Sequence, residues 1–187
     1  MIALKQKKYY EIILKRRKVP FVVGIDINFR NLCTDAVNVI NFLIGDARYL
    51  PFKNEGFDLV ISTEVIEHFI EGELFLSECY RVLKESGVLI LTTPNRSRIT
   101  AIPRSLRYKI KGENYILNPE HVREYTPAEL IKILEACGFT VRNVDLVAFN
   151  PYVPLPTNLC FLLDKISDKF RSLGKLLKWD MLIVAEK

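Results

Sequence analysis

Four stretches of this chain are apolar and short enough to be strands buried on both faces, and segments of helical period separate and follow them. The stretches are FVVGIDI (21–27), VINFLIGD (39–46), FDLVIST (57–63) and VLILTTP (88–94). Near-continuous runs of Val, Ile and Leu, bounded by Gly, Pro or an acid, are the mark of strands covered by helices on both sides. GELFLSECYRVLKESG (72–87) predicts an amphipathic helix, with Leu74, Phe75, Cys79, Val82 and Leu83 on one face and Gly87 as its end. In TPAELIKILEACG (126–138), Thr126 is the expected N-cap, Pro127 the first helical residue, Glu129 the partner that closes a capping box, and Gly138 the terminator. Residues 4–17 and 159–177 predict two further amphipathic helices, and 29–37 a weak short one. FTVRNVDLVAF (139–149) and WDMLIVAEK (179–187) predict a closing antiparallel strand pair, joined across the proline-rich NPYVPLP (150–156). Strands that alternate with helices define an α/β fold with a mostly parallel sheet, a helix layer on each face and that antiparallel pair at its C-terminal side.

The chain has 187 residues, 49% hydrophobic and 26% charged, which is one domain's worth of sequence. Its longest apolar runs are strand-length and far short of a membrane span, and the N-terminus lacks the apolar core of a signal peptide. Cys33, Cys79, Cys137 and Cys160 form no paired motif, and with only two histidines in the chain no metal site is expected. Scattered reduced cysteines suit a cytoplasmic protein. The net charge of +5 is uneven: residues 1–18 carry +6, which leaves −1 for the rest. So unequal a distribution argues against nucleic acid as a partner, and a solvated helix face explains the basic start better than membrane attachment.

In a parallel sheet of this kind ligands sit beyond the C-terminal strand ends, near a reversal of strand order. Asp26, Asp46, Glu64 and the loop from Pro94 follow those ends. A carboxylate at Asp26 can accept from both hydroxyls of a ribose, or it can cap the segment after Asn28; both readings stand. Asp46 can accept from an adenine amino group while the backbone N–H of Ala47 meets a ring nitrogen, or it is an ordinary turn aspartate. Two acids, each closing a neighbouring strand, carry more weight than either alone.

GIDIN, GDARYLPF, FDLVISTEVIEHF and ECYRVLKESGVLILTTPN, in this order and spacing, resemble the core of the class I S-adenosylmethionine-dependent methyltransferases, most closely the type 11 branch that includes ubiquinone-biosynthesis enzymes. HVREYTPAELIKILEACGFTV and the terminal LIVAEK continue the likeness, which runs from Val22 to the end. The resemblance implies a Rossmann-like three-layer sandwich and S-adenosyl-L-methionine as cofactor. It places Asp26 on the ribose, Ile27 against the adenine ring, Asp46 and Ala47 on the adenine edge, and Ser62, Thr63 and Glu64 along the methionine end. It also implies the chemistry. The sulfonium methyl is already electrophilic, so the protein mainly aligns an acceptor for in-line displacement, and a hydroxyl acceptor needs a base as well. His68 and His121 are the candidate catalytic residues; a structural hydrogen-bonding role is the alternative for each.

One part of the family pattern is missing. The first strand and its glycine-rich GxGxG turn, which let the backbone approach the cofactor's amino-acid end, have no counterpart ahead of Gly24, the first glycine in the chain. Residues 4–17 match the helix that follows that turn. The expectation is an N-terminally truncated sheet in a single domain over 1–187, with open edges on the strands at 21–27 and 57–63 and a tendency to self-associate or recruit a partner chain. Two explanations remain open, a natural protein that starts earlier and a degenerate relative serving as a binding or scaffold subunit. Residues 96–125 read as a substrate-lid insertion. Arg96, Arg98, Arg104, Arg107, Lys109 and Lys111 occur there without an acid over 96–111, with Tyr108 and Tyr115 nearby. That charge suits an anionic small-molecule, lipid or glycan acceptor, and a solvated loop is the alternative.

Overall fold

The computed structural model describes residues 2–3, 21–28, 41–97, 121–147 and 180–187. The helices expected at 4–17, 29–37 and 159–177, the proline-rich crossover and the middle of the 96–125 insertion lie outside the described residues.

Seven strands form one sheet: β1 (Ile2–Ala3), β2 (Val23–Asp26), β3 (Asn41–Ile44), β4 (Phe57–Thr63), β5 (Leu83–Pro94), β6 (Thr140–Val147) and β7 (Asp180–Glu186). Their order across the sheet is β3-β2-β1-β4-β5-β7-β6. β1 to β5 run parallel, whereas β7 is antiparallel to both β5 and β6. The strand order turns outward in both directions from β1, so the crevice between β1 and β4 is the switch point where such sheets take ligands. The expected parallel set and closing antiparallel pair are therefore observed.

The start of the sheet differs from expectation. Ile2 pairs with both Gly24 and Ile61, and Ala3 with both Ile25 and Ser62. A two-residue strand thus bridges β2 and β4 where open edges were expected. Two residues are too few to show a period, which is why no strand is legible there.

Helix α1 (Gly72–Val82) packs its fully buried Phe75, Leu76, Cys79 and Val82 on the sheet. Leu74, expected on that face, is 42% exposed, and Leu76 takes its place: the stripe follows i, i+1, i+4 and i+7 from Phe75. The helix also stops five residues before Gly87. Leu83 turns extended and pairs with Phe57, and the next pair joins Leu59 to Val88. Burial of Leu83 in the sheet competes with one more helical turn and wins, and Lys84 to Gly87 bulge out between the two pairings. Helix α2 (Pro127–Ala136) is built as its sequence predicts. Glu129 N–H donates to Thr126 Oγ1 at 3.3 Å, Thr126 N–H donates to Glu129 Oε2 at 2.8 Å, and Pro127 opens the first turn. Gly138 ends it at φ 98°, where a Cβ would also meet the Tyr80 ring at 3.0 Å. Leu130 and Leu134 of α2 join α1 and the inward residues of β7, Met181, Ile183 and Ala185, in one core.

Candidate active site

Asp26 and Asp46 follow the ends of adjacent parallel strands. The Gly45 N–H donates to the Asp26 carbonyl at 3.1 Å and ties the two strand ends together. Asp26 is half-buried and its Oδ1 accepts the Asn28 N–H at 2.8 Å; the segment that it would cap lies outside the described residues. Asp46 is held by Arg48, whose Nε lies 3.1 Å from each carboxylate oxygen and whose second guanidinium nitrogen lies 2.7 Å from Oδ2. The Arg48 side chain is the main reason the Asp46 carboxyl is pulled below its ordinary value, so it is ionised at neutral pH. Its neighbour Ala47 is buried, while Ile27 stands 74% exposed beside Asp26. Arg48 is a residue that the sequence reading missed; an arginine two positions after an acid is common in turns and carries no distinctive signal.

At the end of β4, Ser62 and Thr63 are buried. Ser62 Oγ has no hydrogen-bond partner among the described residues, and Ser62 sits opposite Ala3 at the switch point. Glu64 follows in the left-handed region at φ 55°, a conformation that costs a non-glycine residue about 1 kcal/mol or more and that collects at functional sites. Its N–H donates to the Thr92 carbonyl at 3.0 Å, and its Oε1 accepts from Thr92 Oγ1 at 3.2 Å. Burial, with the charges of Glu67 and Asp180 behind it, pushes the Glu64 carboxyl up to about 9.

The two candidate catalytic histidines come together. His68 ends a short 3-10 helix (Ile66–His68), and its ring stands edge to face with that of His121, with centroids 5.2 Å apart. Glu67 lies between them, fully buried. Its carbonyl accepts the N–H groups of Val122 (2.8 Å) and Arg123 (3.1 Å), and its Oε2 accepts Thr93 Oγ1 (3.0 Å). Glu67 was also missed, although its spacing of three from Glu64 places the two acids one helical turn apart in TEVIEHF. The base of the 96–125 insertion is closed by a parallel bridge between Asn95 and Tyr125 and by the Arg96 N–H on the Tyr125 carbonyl at 2.9 Å. Arg96 itself pairs with Glu129 of α2. Arg98, Arg104, Arg107, Lys109, Lys111, Tyr108 and Tyr115 lie outside the described residues.

A sheet of this order, with acids at the ends of β2 and β3, is the fold seen in solved methyltransferase structures. Comparison with known proteins points the same way. The model described as "Methyltransferase domain" matches residues 8–91. A "probable S-adenosylmethionine-dependent methyltransferase" of Mycolicibacterium smegmatis is 40% identical over 99 residues, which is 53% of this chain and 35% of that protein. The ubiquinone biosynthesis O-methyltransferase of Dinoroseobacter shibae is 29% identical over 134 residues, 68% of this chain and 47% of its own. A methyltransferase structure from Methanosarcina mazei superposes with a TM-score of 0.69 at 18% identity, covering all of this chain and 90% of that one. Residues 8–91 thus resemble a methyltransferase domain, and the relatives matched are named for methyl transfer, that of Mycolicibacterium smegmatis for dependence on S-adenosylmethionine. The chain spans between about a third and a half of the length of these curated relatives.

The residues present would fit such a cofactor: two acids stand at the ends of neighbouring strands, where an adenosine would find hydrogen-bond acceptors, and the orphaned Ser62 Oγ is a buried polar atom of the kind a bound polar group satisfies. Among the described residues no helix is long and apolar enough to cross a membrane.

Proposed function

We propose that this domain binds S-adenosylmethionine through the ends of β2 and β3 and presents its methyl group to an acceptor entering over the ends of β4 and β5. The observation that carries this reading is the pairing of Asp26 and Asp46 on adjacent strand ends, tied by the Gly45 N–H. Asp26 takes the ribose hydroxyls, Ile27 covers the adenine face, and Asp46 with Ala47 meets the adenine edge. Ser62, Thr63 and Glu64 line the methionine end. Arg48 has to yield part of its hold on Asp46 for the adenine amino group to enter, a modest demand for a half-exposed guanidinium. The acceptor is a small molecule, lipid or glycan bearing negative charge, admitted beneath the 96–125 insertion. Support for the insertion as a lid is its stitched base, where Asn95 and Arg96 meet Tyr125 just beyond β5. His68 and His121 stand between that base and the end of β4, where one of them can take the acceptor's proton.

Photo-crosslinking of radiolabelled S-adenosylmethionine to the chain at about millimolar concentration tests the cofactor half. Label competed by adenosine and lost in Asp26→Ala supports the reading. Equal labelling of wild type and variant places the cofactor elsewhere. A domain that takes no label, and transfers no methyl group to a panel of phosphorylated lipids and sugars, is instead a binding or scaffold relative.

A further inference from the structure

We propose that Arg48 is a latch with two seats, one on Asp46 and one on Glu71, and that an adenine amino group arriving at Asp46 displaces it from the first to the second. Arg48 would thereby set how readily the adenosine site is entered and left, a role that rests on the cofactor reading of that site. In the first seat the Asp46 carboxylate is saturated. Its Oδ1 accepts the Arg48 backbone N–H at 2.9 Å and Nε at 3.1 Å, and its Oδ2 accepts Nε at 3.1 Å and the second guanidinium nitrogen at 2.7 Å. A carboxylate offers about four lone-pair sites, so an incoming donor has to take one from this side chain. The backbone N–H does not leave with the guanidinium. It keeps Oδ1 in place, so Oδ2 opens without Asp46 turning away from the end of β3.

The second seat lies across an aromatic ring. The guanidinium carbon stands 5.2 Å from the centroid of Phe69 and 6.0 Å from that of Tyr49, so Arg48 reaches from the loop after β3 to the segment that follows the 3-10 helix. Phe69 is half-buried and backed by Phe75, with centroids 5.5 Å apart. Two residues further on, exposed Glu71 caps the start of α1; Asp46 foremost, and Glu71 as a second acid, favour the charge on Arg48. The cation therefore keeps the face of one ring while it exchanges one carboxylate for another, and is never left unpaired. Its hold on Asp46 is shallow, because the two side chains keep 40% and 25% of their exposure. An ion pair this exposed corresponds to a factor of about two to five in affinity, and salt screens it. Salt should therefore tighten the binding of uncharged adenosine, by weakening its competitor. The same competition speeds departure of the spent cofactor, since the guanidinium refills Oδ2 as the amino group leaves.

The test reads the Arg48 Nε–H and the Asp46 and Ala47 amides of the full chain by NMR, during adenosine titrations in about 0.02 M and about 0.3 M potassium chloride. In wild type the Nε–H is expected to shift together with the amides, and the midpoint to fall about two- to fivefold at the higher salt. Arg48→Met is expected to bind adenosine about two- to fivefold more tightly at low salt and to lose the salt response, and Glu71→Gln to bind it more weakly than wild type. Equal or weaker binding in Arg48→Met, a salt response that survives in it, an Nε–H that stays fixed while the amides shift, or unchanged binding in Glu71→Gln overturns the latch. A ligand-free arm separates this from the cofactor reading. Asp46→Asn weakens the first seat, and in that background adding Glu71→Gln should move the Arg48 Nε–H further than it does in wild type. If that response is present and adenosine moves none of these signals, the cofactor reading fails and the two seats stand. If it is absent, the latch is overturned whatever adenosine does.

Discussion

Replacing Arg81 with methionine removes the clamp that holds the loop between β3 and β4 against α1. The guanidinium donates to Glu78 at 2.6 and 2.8 Å, to the Phe52 carbonyl at 2.7 Å, to Asn54 Oδ1 at 2.9 Å and to the Leu50 carbonyl at 2.9 Å. Glu78 completes the clamp by accepting the Leu50 N–H at 2.8 Å. Methionine keeps the aliphatic stem and loses all five donations. Hydrogen bonds to a charged group contribute roughly 1.5–3 kcal/mol where buried, but the Arg81 and Glu78 side chains keep 30% and 20% of their exposure, so water recovers much of that. The expected loss is about 2–4 kcal/mol. With a urea slope of about 2 kcal/mol per molar, the midpoint falls by roughly 1–2 M. Arg81 also holds the Glu78 carboxyl below its ordinary 4.5. A depressed carboxylate stabilises the fold above its unfolded value and loses that contribution as pH falls through the folded value, so the gap between wild type and variant should narrow below about pH 4.5. Urea unfolding at pH 7 and pH 3.5 is the assay. Arg81→Lys keeps the charge but cannot span the same acceptors, and should recover less than half of the loss. A gap under about 0.5 kcal/mol at pH 7, or one equal at both pH values, would show that the clamp is not what holds this loop.

Three further outcomes follow from the geometry. Thr126→Ala removes the side-chain half of the α2 capping box and should cost about 1 kcal/mol by chemical denaturation, with Thr126→Ser near wild type. Gly138→Ala forces a Cβ into the left-handed region and against the Tyr80 ring, and should cost roughly 1–3 kcal/mol, relieved in part by a second change, Tyr80→Leu. Should the insertion admit an anionic acceptor, reversing the charge of Arg104 and Arg107 raises KM several-fold with little change in kcat; indifference to the reversals and to salt would rule out the lid role.

What was legible in the sequence is what depends on local period and local chemistry. FDLVIST is a strand at the bounds its residues predict, and the capping box of α2 is spelled out by Thr126, Pro127 and Glu129. The strand-end positions of Asp26 and Asp46 were legible because each closes an apolar run. Most of the misses depend on contacts distant in sequence. The end of α1 is set by the pairing of Leu83 with Phe57, across 26 residues, and not by the nearer Gly87. Arg81 finds acceptors up to 31 residues away. Glu67 was passed over because nothing local shows that the Val122 and Arg123 N–H groups fold onto its carbonyl and bring His121 with them. Arg48 was missed for the opposite reason, since its contact with Asp46 is so local that a turn of any function could contain it.

The central claim is that the ends of β2 and β3 form an adenosine site. Parallel NMR titrations of the 187-residue chain with S-adenosylmethionine and with adenosine, reading the amides of Asp26, Ile27, Asp46 and Ala47, test it most directly. The account predicts that the same amides shift with both ligands, because both carry the adenosine that the site binds. Shifts confined to other strands would show that the adenosine site is not there.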